Sequence, residues 1–371
     1  MESIDADWES FLHNDSESFL QNDYENDTDE DEESSPRNIG KKGEVLQLNN
    51  VTNIPKCSEI YISTKTKISY LNKGNIDIKK VFWDIPILSY SIPKNGIVKK
   101  QIKYSSTCKE EVDYIEEQLQ TVNYYEQQVI EHIENPEGRI KFKDQRKISI
   151  GICKKDILSY RSKKKRAFFN CFVLIMRIYD KEIFKEMHIK VFNTGKLEIP
   201  GVQNDELLEQ VLQLLVDTLK PFLGDNLRHL PEKNETVLIN SNFNCGYYID
   251  RDKLYDLLKY QYRINSNFDA CSYPGIQCKF YHDNTMNEHT IQNGQHPKHS
   301  DFDEVSFMIF RTGSVLIVGK CEEFVLFKIY DFIRKMLETE YDKIHCLNTS
   351  VSILPNKLRK RKIRKKTVLF D

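Results

Sequence analysis

Met187–Val202 reads MHIKVFNTGKLEIPGV, and Val305–Lys320 reads VSFMIFRTGSVLIVGK. Aligned on Thr194-Gly195 and Thr312-Gly313, both run through an apolar residue, Phe, any residue, Thr and Gly, and then into a second apolar run that ends at Gly. Alternating apolar residues on either side of a Thr-Gly corner predict a β-hairpin, because Gly accepts the positive φ of a tight turn. Each copy follows another strand-like run, Cys171–Ile178 or Ile276–Tyr281. Each also precedes an amphipathic stretch of helical period, Asp205–Leu223 or Glu322–Glu338. Strand, hairpin and helix therefore occur twice, 118 residues apart, which predicts two similar halves built on a common sheet.

Working outward, the first half opens with an alternating strand at Glu59–Leu71, followed by a short helix at Asn75–Ile85. Thr236–Cys245 and Arg251–Tyr260 repeat that pair in the second half. Ser106–Asn135 reads as a long helix, with a capping box at Thr107-x-x-Glu110 and a stop at Asn135-Pro136-Glu137-Gly138. Val112, Ile115, Leu119, Val122, Val129 and Ile133 form its stripe, which suits either docking on the protein's own core or a coiled-coil seam. With no counterpart in the second half, about 87–165 reads as a helical insertion. It carries the basic cluster Arg161-Ser162-Lys163-Lys164-Lys165-Arg166. Asp283–Asp303 reads as a second, polar insertion.

Charge is segregated along the chain. Residues 1–36 hold fourteen Asp and Glu and no Lys or Arg, so the net charge of -2 leaves -2 + 14 = +12 on the remainder. A basic body points to a polyanion, nucleic acid first. Residues 1–50 read as a disordered acidic tail containing two echoing peptides, Trp8-Glu9-Ser10-Phe11-Leu12 and Ser16-Glu17-Ser18-Phe19-Leu20. These peptides suit either segments that fold on a partner or a solubilising tail, and, tethered to a basic body, the tail is expected to compete with DNA. At the other end, 350–371 includes Lys357–Lys366, eight basic residues in ten, which suits phosphate binding or nuclear import. The longest apolar run is too short to span a membrane, no secretory leader is expected, and nine cysteines without a C-x-x-C pair suit reduced thiols. No cofactor is expected. Cys278, His282, His289, His296 and His299 are the strongest metal candidates, and only His296 and His299 approach ligand spacing.

Tyr273-Pro274-Gly275-Ile276 followed by Met308-Ile309-Phe310-Arg311-Thr312-Gly313 resembles the direct repeat of the TATA-box-binding protein family, and Phe172–Arg177 with Lys190–Gly201 repeats it. The divergence and insertions look most like the TATA-binding-protein-like factors of large cytoplasmic DNA viruses. The resemblance implies an α+β fold in which two repeats, at about 57–225 and 233–345, make one saddle-shaped, curved antiparallel sheet with helices on its convex side. It further implies a non-enzymatic transcription initiation factor that binds A·T-rich promoter double-stranded DNA through the minor groove, as a monomer. A B-type initiation factor and RNA polymerase are the implied partners, and the host cytoplasm, virion or nucleus the implied location. The family is itself a standard example of aromatic wedging in the minor groove. On matching positions the wedges are Tyr273 and Phe310, with Phe192 in the first repeat. Phe192's partner falls at Cys171, with Phe169 and Phe172 as neighbours. Asn240 matches the base-reading Asn, with Asn242 two residues on. Leu316 and Val318 match apolar contacts beside Met308, and Arg177 and Lys279 match phosphate contacts. Lys190, Glu198 and Pro200 depart from the pattern, and Glu198 needs a cation such as Lys190 or Lys196 beside a negatively charged groove. The rival readings are a saddle-fold scaffold that has lost DNA and a nucleic-acid-processing enzyme on a similar fold.

Overall fold

The computed structural model describes residues 54–158, 169–287 and 290–346, so both charged tails and the Arg161–Arg166 cluster lie outside the described residues. The chain divides into two compact units. Among the described residues, one holds Ile62–Asn240, and the other 241–346 together with 54–61. The fold is α+β, as expected from the sequence.

The first unit begins with β1 (Tyr61–Tyr70) and α1 (Ile78–Asp84), then β2 (Gly96–Ser106), α2 (Lys109–Gln120), β3 (Tyr125–Glu134), β4 (Phe142–Gly151) and α3 (Lys154–Leu158). It ends with β5 (Cys171–Asp180), β6 (Ile183–Phe192), β7 (Lys196–Val202) and α4 (Asp205–Leu223). Its strands lie in the order β3-β4-β2-β5-β6-β7-β1, and the start of β8 (Glu235–Asn244) lies next to β1. The second unit continues β8 through α5 (Arg251–Asp256), a π-helical turn at Leu257–Gln261, β9 (Asn265–Asn267), β10 (Gly275–Asp283), β11 (Phe302–Phe310), β12 (Ser314–Gly319), α6 (Glu323–Thr339) and α7 (Tyr341–Ile344). Its order is β8-β12-β11-β10-β9.

The repeat extends to single hydrogen bonds. Gly195 and Gly313 have φ of 81° and 84°. Their carbonyls accept from Leu71 N–H and Cys245 N–H at 2.8 and 2.9 Å. The residues just before each Thr-Gly, Asn193 and Arg311, accept from Ile76 and Ile249 at 2.8 and 2.9 Å. Each hairpin corner thus clasps the loop after its own repeat's first strand. A Cβ on either glycine would come within 2.4 Å of a backbone oxygen, Lys73 O or Tyr247 O. The short helices also start alike, with Asp77 capping Lys80 N–H and Asp250 capping Lys253 N–H. Asn204 caps α4 through Leu207 N–H at 2.7 Å, and Leu208, Val211, Leu212, Leu215 and Leu219 then bury one stripe of the helix. Each of these contributes roughly 1.5–3 kcal/mol of burial.

Several expectations are corrected here. The helix expected over Ser106–Asn135 ends at Gln120, and Tyr125–Glu134 is a strand paired residue by residue with β4. Val112, Ile115 and Leu119 are the helical stripe, whereas Val129 is exposed on the strand. Steps of three and four residues cannot distinguish a continuing helix from a break when aromatic and β-branched residues follow it. Asn135–Gly138 is the β3–β4 corner instead, closed by Gly138 N–H to Asn135 O at 3.0 Å. The cap differs too, for Cys108 occupies the N-cap and Glu111, not Glu110, accepts from Thr107 N–H. Furthermore, β2 flanks β5 as β9 flanks β10, so β2 has a counterpart and the added structure begins after Ser106.

Candidate nucleic-acid interface

In the second repeat, Ile276, Cys278 and Phe280 point towards α6, where Phe280 meets Phe332 with ring centroids 5.3 Å apart. Strand alternation turns Gly275, Gln277 and Lys279 the other way. Their register partners go with them: Gly275 opposite Phe310, Gln277 opposite Met308, and Lys279 opposite Ser306. Met308 in turn faces Leu316, and Ser306 faces Val318. On β8, Phe243 packs on Tyr330 of α6, so Asn242 projects to the face away from that helix. Five of the anticipated residues, Asn242, Met308, Phe310, Leu316 and Val318, therefore share the face away from α6, with Lys279 beside them. Met308, Phe310 and Val318 are each only 4% exposed, and Leu316 is half-buried.

Tyr273 lies beside Phe310, with ring centroids 5.8 Å apart. Its hydroxyl is enclosed without a partner among the described residues, and burial pushes its pKa up to about 12. An enclosed hydroxyl left unsatisfied costs roughly 1–3 kcal/mol. Arg251 steadies the corner by donating to Pro274 O. Gly275 is required by the ring across from it, since a Cβ there would lie 2.8 Å from Phe310 Cε1. Lys279 Nζ donates to Glu304 Oε1 at 2.6 Å, so any phosphate contact must be exchanged for that ion pair.

In the first repeat, Phe172, Leu174, Met176 and Ile178 join the core shared with α4. Phe172 is fully buried on the helix side and cannot be a wedge, which corrects that assignment. Cys171, Val173, Ile175 and Arg177 lie on the opposite face, and Cys171 sits across from Phe192. Both are buried, and burial pushes the Cys171 thiol up to about 12. Lys190 opposes Glu198 in register and donates to it at 2.8 Å, which is the pairing the carboxylate was expected to need. Ile68, opposite Glu198 on β1, is a buried apolar member of this face that sequence matching missed. Asn240 is 7% exposed, and its carbonyl accepts from Ser63 Oγ.

Arg177 is the second correction. Its guanidinium donates to Tyr90 O at 2.8 Å, Lys94 O at 3.2 Å and Ile92 O, and it lies over the Tyr90 ring. A buried cation committed to three carbonyls is a structural brace, not a phosphate contact. Tyr90, Val98, Cys153 and Ile175 form a small cluster on that side, with Lys99 bonded to Asp156 at 2.8 Å. The first repeat's own chain therefore covers the Arg177 end of the face. Phe169 is exposed just before β5, with Lys103 Nζ 3.9 Å from its ring centroid. His289 lies outside the described residues, and the other metal candidates do not converge. Cys278 is buried on the helix side, and His299 bonds to Asp283 at 2.9 Å. No group of metal-binding residues occurs among the described residues. Gln277 was also missed; only its alternation with Gly275 and Lys279 signalled its face.

The class defined is a two-repeat α+β protein whose repeats each keep one sheet face for helices, the other face carrying apolar, aromatic and amide residues in the second repeat and apolar residues with an ion pair in the first. The chain is similar to a TATA-box-binding protein-like protein of Acanthamoeba polyphaga mimivirus, 26% identical over 228 residues. That match covers 57% of this chain and 60% of the viral relative's length. Among solved structures, Methanococcus jannaschii TBP aligns with 77% of this chain and 99% of its own, at 13% identity and a TM-score of 0.35. No family model matches.

Proposed function

We propose that the protein is a TATA-box-binding-protein-like initiation factor that binds and bends A·T-rich promoter DNA through the minor groove. The observation that carries this reading is the composition of the second repeat's face, where Tyr273 and Phe310 lie together beside Met308, Leu316 and Val318, with Asn242 on the neighbouring strand. An A·T minor groove offers acceptors and no guanine amino group, so it tolerates apolar contact and accepts from amide donors. Aromatic wedges between base steps offset unstacking only when apolar neighbours fill the opened gap. The name of the mimiviral relative supports the same reading.

A monomer on DNA, recruitment of a B-type factor and RNA polymerase, and action in the cytoplasmic factory of a large DNA virus complete the proposal. Fluorescence-transfer bending of an A·T-rich duplex tests it, with a G·C-rich duplex as control. Preferential binding and bending of the A·T-rich duplex is expected. Equal, unbent binding of both would reduce the protein to a basic, non-specific binder, and no binding would favour the scaffold reading.

A further inference from the structure

The face of the first repeat opposite its helices does not end at β5. Val173 pairs with Lys190 on one side and with Gln101 of β2 on the other, and Gln101 pairs in turn with Ser149 of β4. Strand alternation therefore turns Lys99, Lys103 and Ser105 of β2, and Lys143, Gln145 and Lys147 of β4, to the side of Cys171 and Val173. Ile102, Tyr104, Ile148 and Ile150, which alternate with them, join the core with the helices. On β3, Gln128 pairs with Lys147 and Glu126 with Ser149, so both share the face away from the helices. The Tyr90–Lys94 loop and Cys153 cover the Arg177 end. At the other end Phe169 is exposed, and Lys103, Gln128, Gln145 and Lys147 each keep part of their surface in solvent.

Two lysines of this face stand apart from the rest. Lys99 holds Asp156, Lys143 holds Glu131 and Lys190 holds Glu198, each at 2.8 Å. Lys103 and Lys147 are direct register partners, yet neither has an ion pair or a hydrogen bond among the described residues. Like charges directly opposite on neighbouring strands repel. Burial lowers both ammonium groups below their usual range, and Lys99 adds to that at Lys147. An anion beside the pair reverses both effects, and Gln128, Gln145 and Ser105 place neutral donors around it. The pair also has a position relative to the wedge candidate. Ile102 pairs with Phe172, which puts Lys103 at the Cys171 end of β5, and Cys171 faces Phe192. At about 4.8 Å per strand, Lys103 and Lys147 stand roughly 10 and 14 Å to the side of Phe192. A minor groove about 6 Å wide is flanked by its sugar-phosphate strands, so a pair at that offset meets phosphate rather than base edges. We propose that β2 and the added β3–β4 hairpin extend the first repeat into a phosphate-binding shelf, on which Lys103 and Lys147 hold the duplex backbone beside the groove. The proposal rests on the DNA binding proposed above. Glu126, exposed on the same face and close to Lys147, opposes it.

The test is the salt dependence of full-chain binding to an A·T-rich duplex. Each phosphate contact adds about 0.9 to the slope of log affinity against log salt. Lys103→Gln/Lys147→Gln should lower that slope by about 1.8, so that between about 50 and 200 mM salt the parent loses roughly tenfold more affinity than the variant. Lys103→Arg/Lys147→Arg should keep the parent's slope. Bending at saturation, read by fluorescence transfer, should stay unchanged in both, because the wedge candidates are intact. Lys80→Gln/Lys109→Gln removes the same charge from exposed positions on α1 and α2, which pack on the helix side, and should leave the slope unchanged. Glu126→Gln should tighten binding several-fold at low salt, and it tests the face without touching either lysine. An unchanged slope in the Lys103/Lys147 glutamine variant, with parental binding intact, would overturn the phosphate contact and leave the DNA function standing. An equal fall in the Lys80/Lys109 control would overturn it in favour of overall charge. A parent that binds no duplex would reject the DNA function and this contact with it.

Discussion

Gly275 illustrates how a single residue sets the candidate surface. Its φ is not in the left-handed region, so its role is space: any Cβ would stand 2.8 Å from Phe310 Cε1 and 3.0 Å from Cζ. Phe310 is almost wholly buried and cannot swing aside without overpacking its neighbours. Gly275→Ala is therefore expected to cost about 1–3 kcal/mol of stability and to reduce DNA bending, measured by urea denaturation and by fluorescence transfer. Unchanged bending would show that Phe310 is not positioned by this contact. The wedges themselves should be unequal. Phe310 and Tyr273 form a pair with apolar neighbours, whereas Phe192 sits across from Cys171 on a face that also carries the Lys190–Glu198 ion pair. Phe310→Ala or Tyr273→Ala is expected to lose several-fold more bending and affinity than Phe192→Ala, measured on one A·T-rich duplex. The reverse order would mean that the first repeat does the kinking.

Among the elements, the structure added after β2 is held by a buried charge cluster. Arg146 Nε and Nη2 donate to Asp144 at 2.6 and 2.8 Å, His132 Nδ1 lies 2.9 Å from the same carboxylate, and Arg146 also reaches Glu116 of α2. The Arg146 bonds, then His132, hold the Asp144 carboxyl below its usual range against the opposing effect of burial. A carboxyl depressed in the folded state stabilises above its unfolded pKa, and the benefit is lost as pH falls through the folded value. Asp144→Asn removes the charged acceptor of two Arg146 bonds while Glu116 keeps the third, and should cost about 1.5–3 kcal/mol. Hydrogen exchange should show that loss first in β3 and β4. Uniform protection across all strands would make the cluster incidental. The same region shows where element-level legibility stopped. Leu119 and Val122 continue a helical step, but Tyr125 to Glu134 gain more by pairing with β4 across the Asn135–Gly138 corner, and steps of three and four residues do not register that gain.

For the whole molecule, alkaline pH is the informative axis. Burial raises the thiols of Cys153 and Cys245 to about 11 and of Cys171 to about 12, and it raises Cys278 still further. The unfolded chain ionises these groups first, so above about pH 9 it binds fewer protons and stability falls as pH rises. Lys100 acts the other way. Burial lowers it to about 8, against the pull of Asp84, while its ammonium donates to the carbonyls of Phe82, Trp83 and Ile85 at the end of α1. From about pH 8 to 10.5 the unfolded state holds the extra proton there, and stability rises. Lys103 and Lys147 are lowered too, but with Cys57 and Cys321 also raised the thiols outnumber the amines, each group worth at most roughly 1.4 kcal/mol per pH unit in its window. The urea midpoint should therefore fall between pH 9 and 11. A flat midpoint would place these thiols in contact with water.

What the sequence alone determined is periodic and local. The Thr-Gly corners, the paired strands and the amphipathic helices follow from side-chain spacing, and alternation put Met308 and Phe310 on one strand face, while Leu316 and Val318 came from the resemblance. Only the tertiary structure decided what each side chain is committed to. Arg177 matched a phosphate contact by position, yet three carbonyls from the loop at Tyr90–Lys94 hold it. Phe172 stood one residue from a wedge position, and a one-residue step along a strand turned it into the core. Alternation is written into the chain, but the partner that satisfies a buried cation such as Arg177 is distant in sequence and enters only when the backbone brings it there.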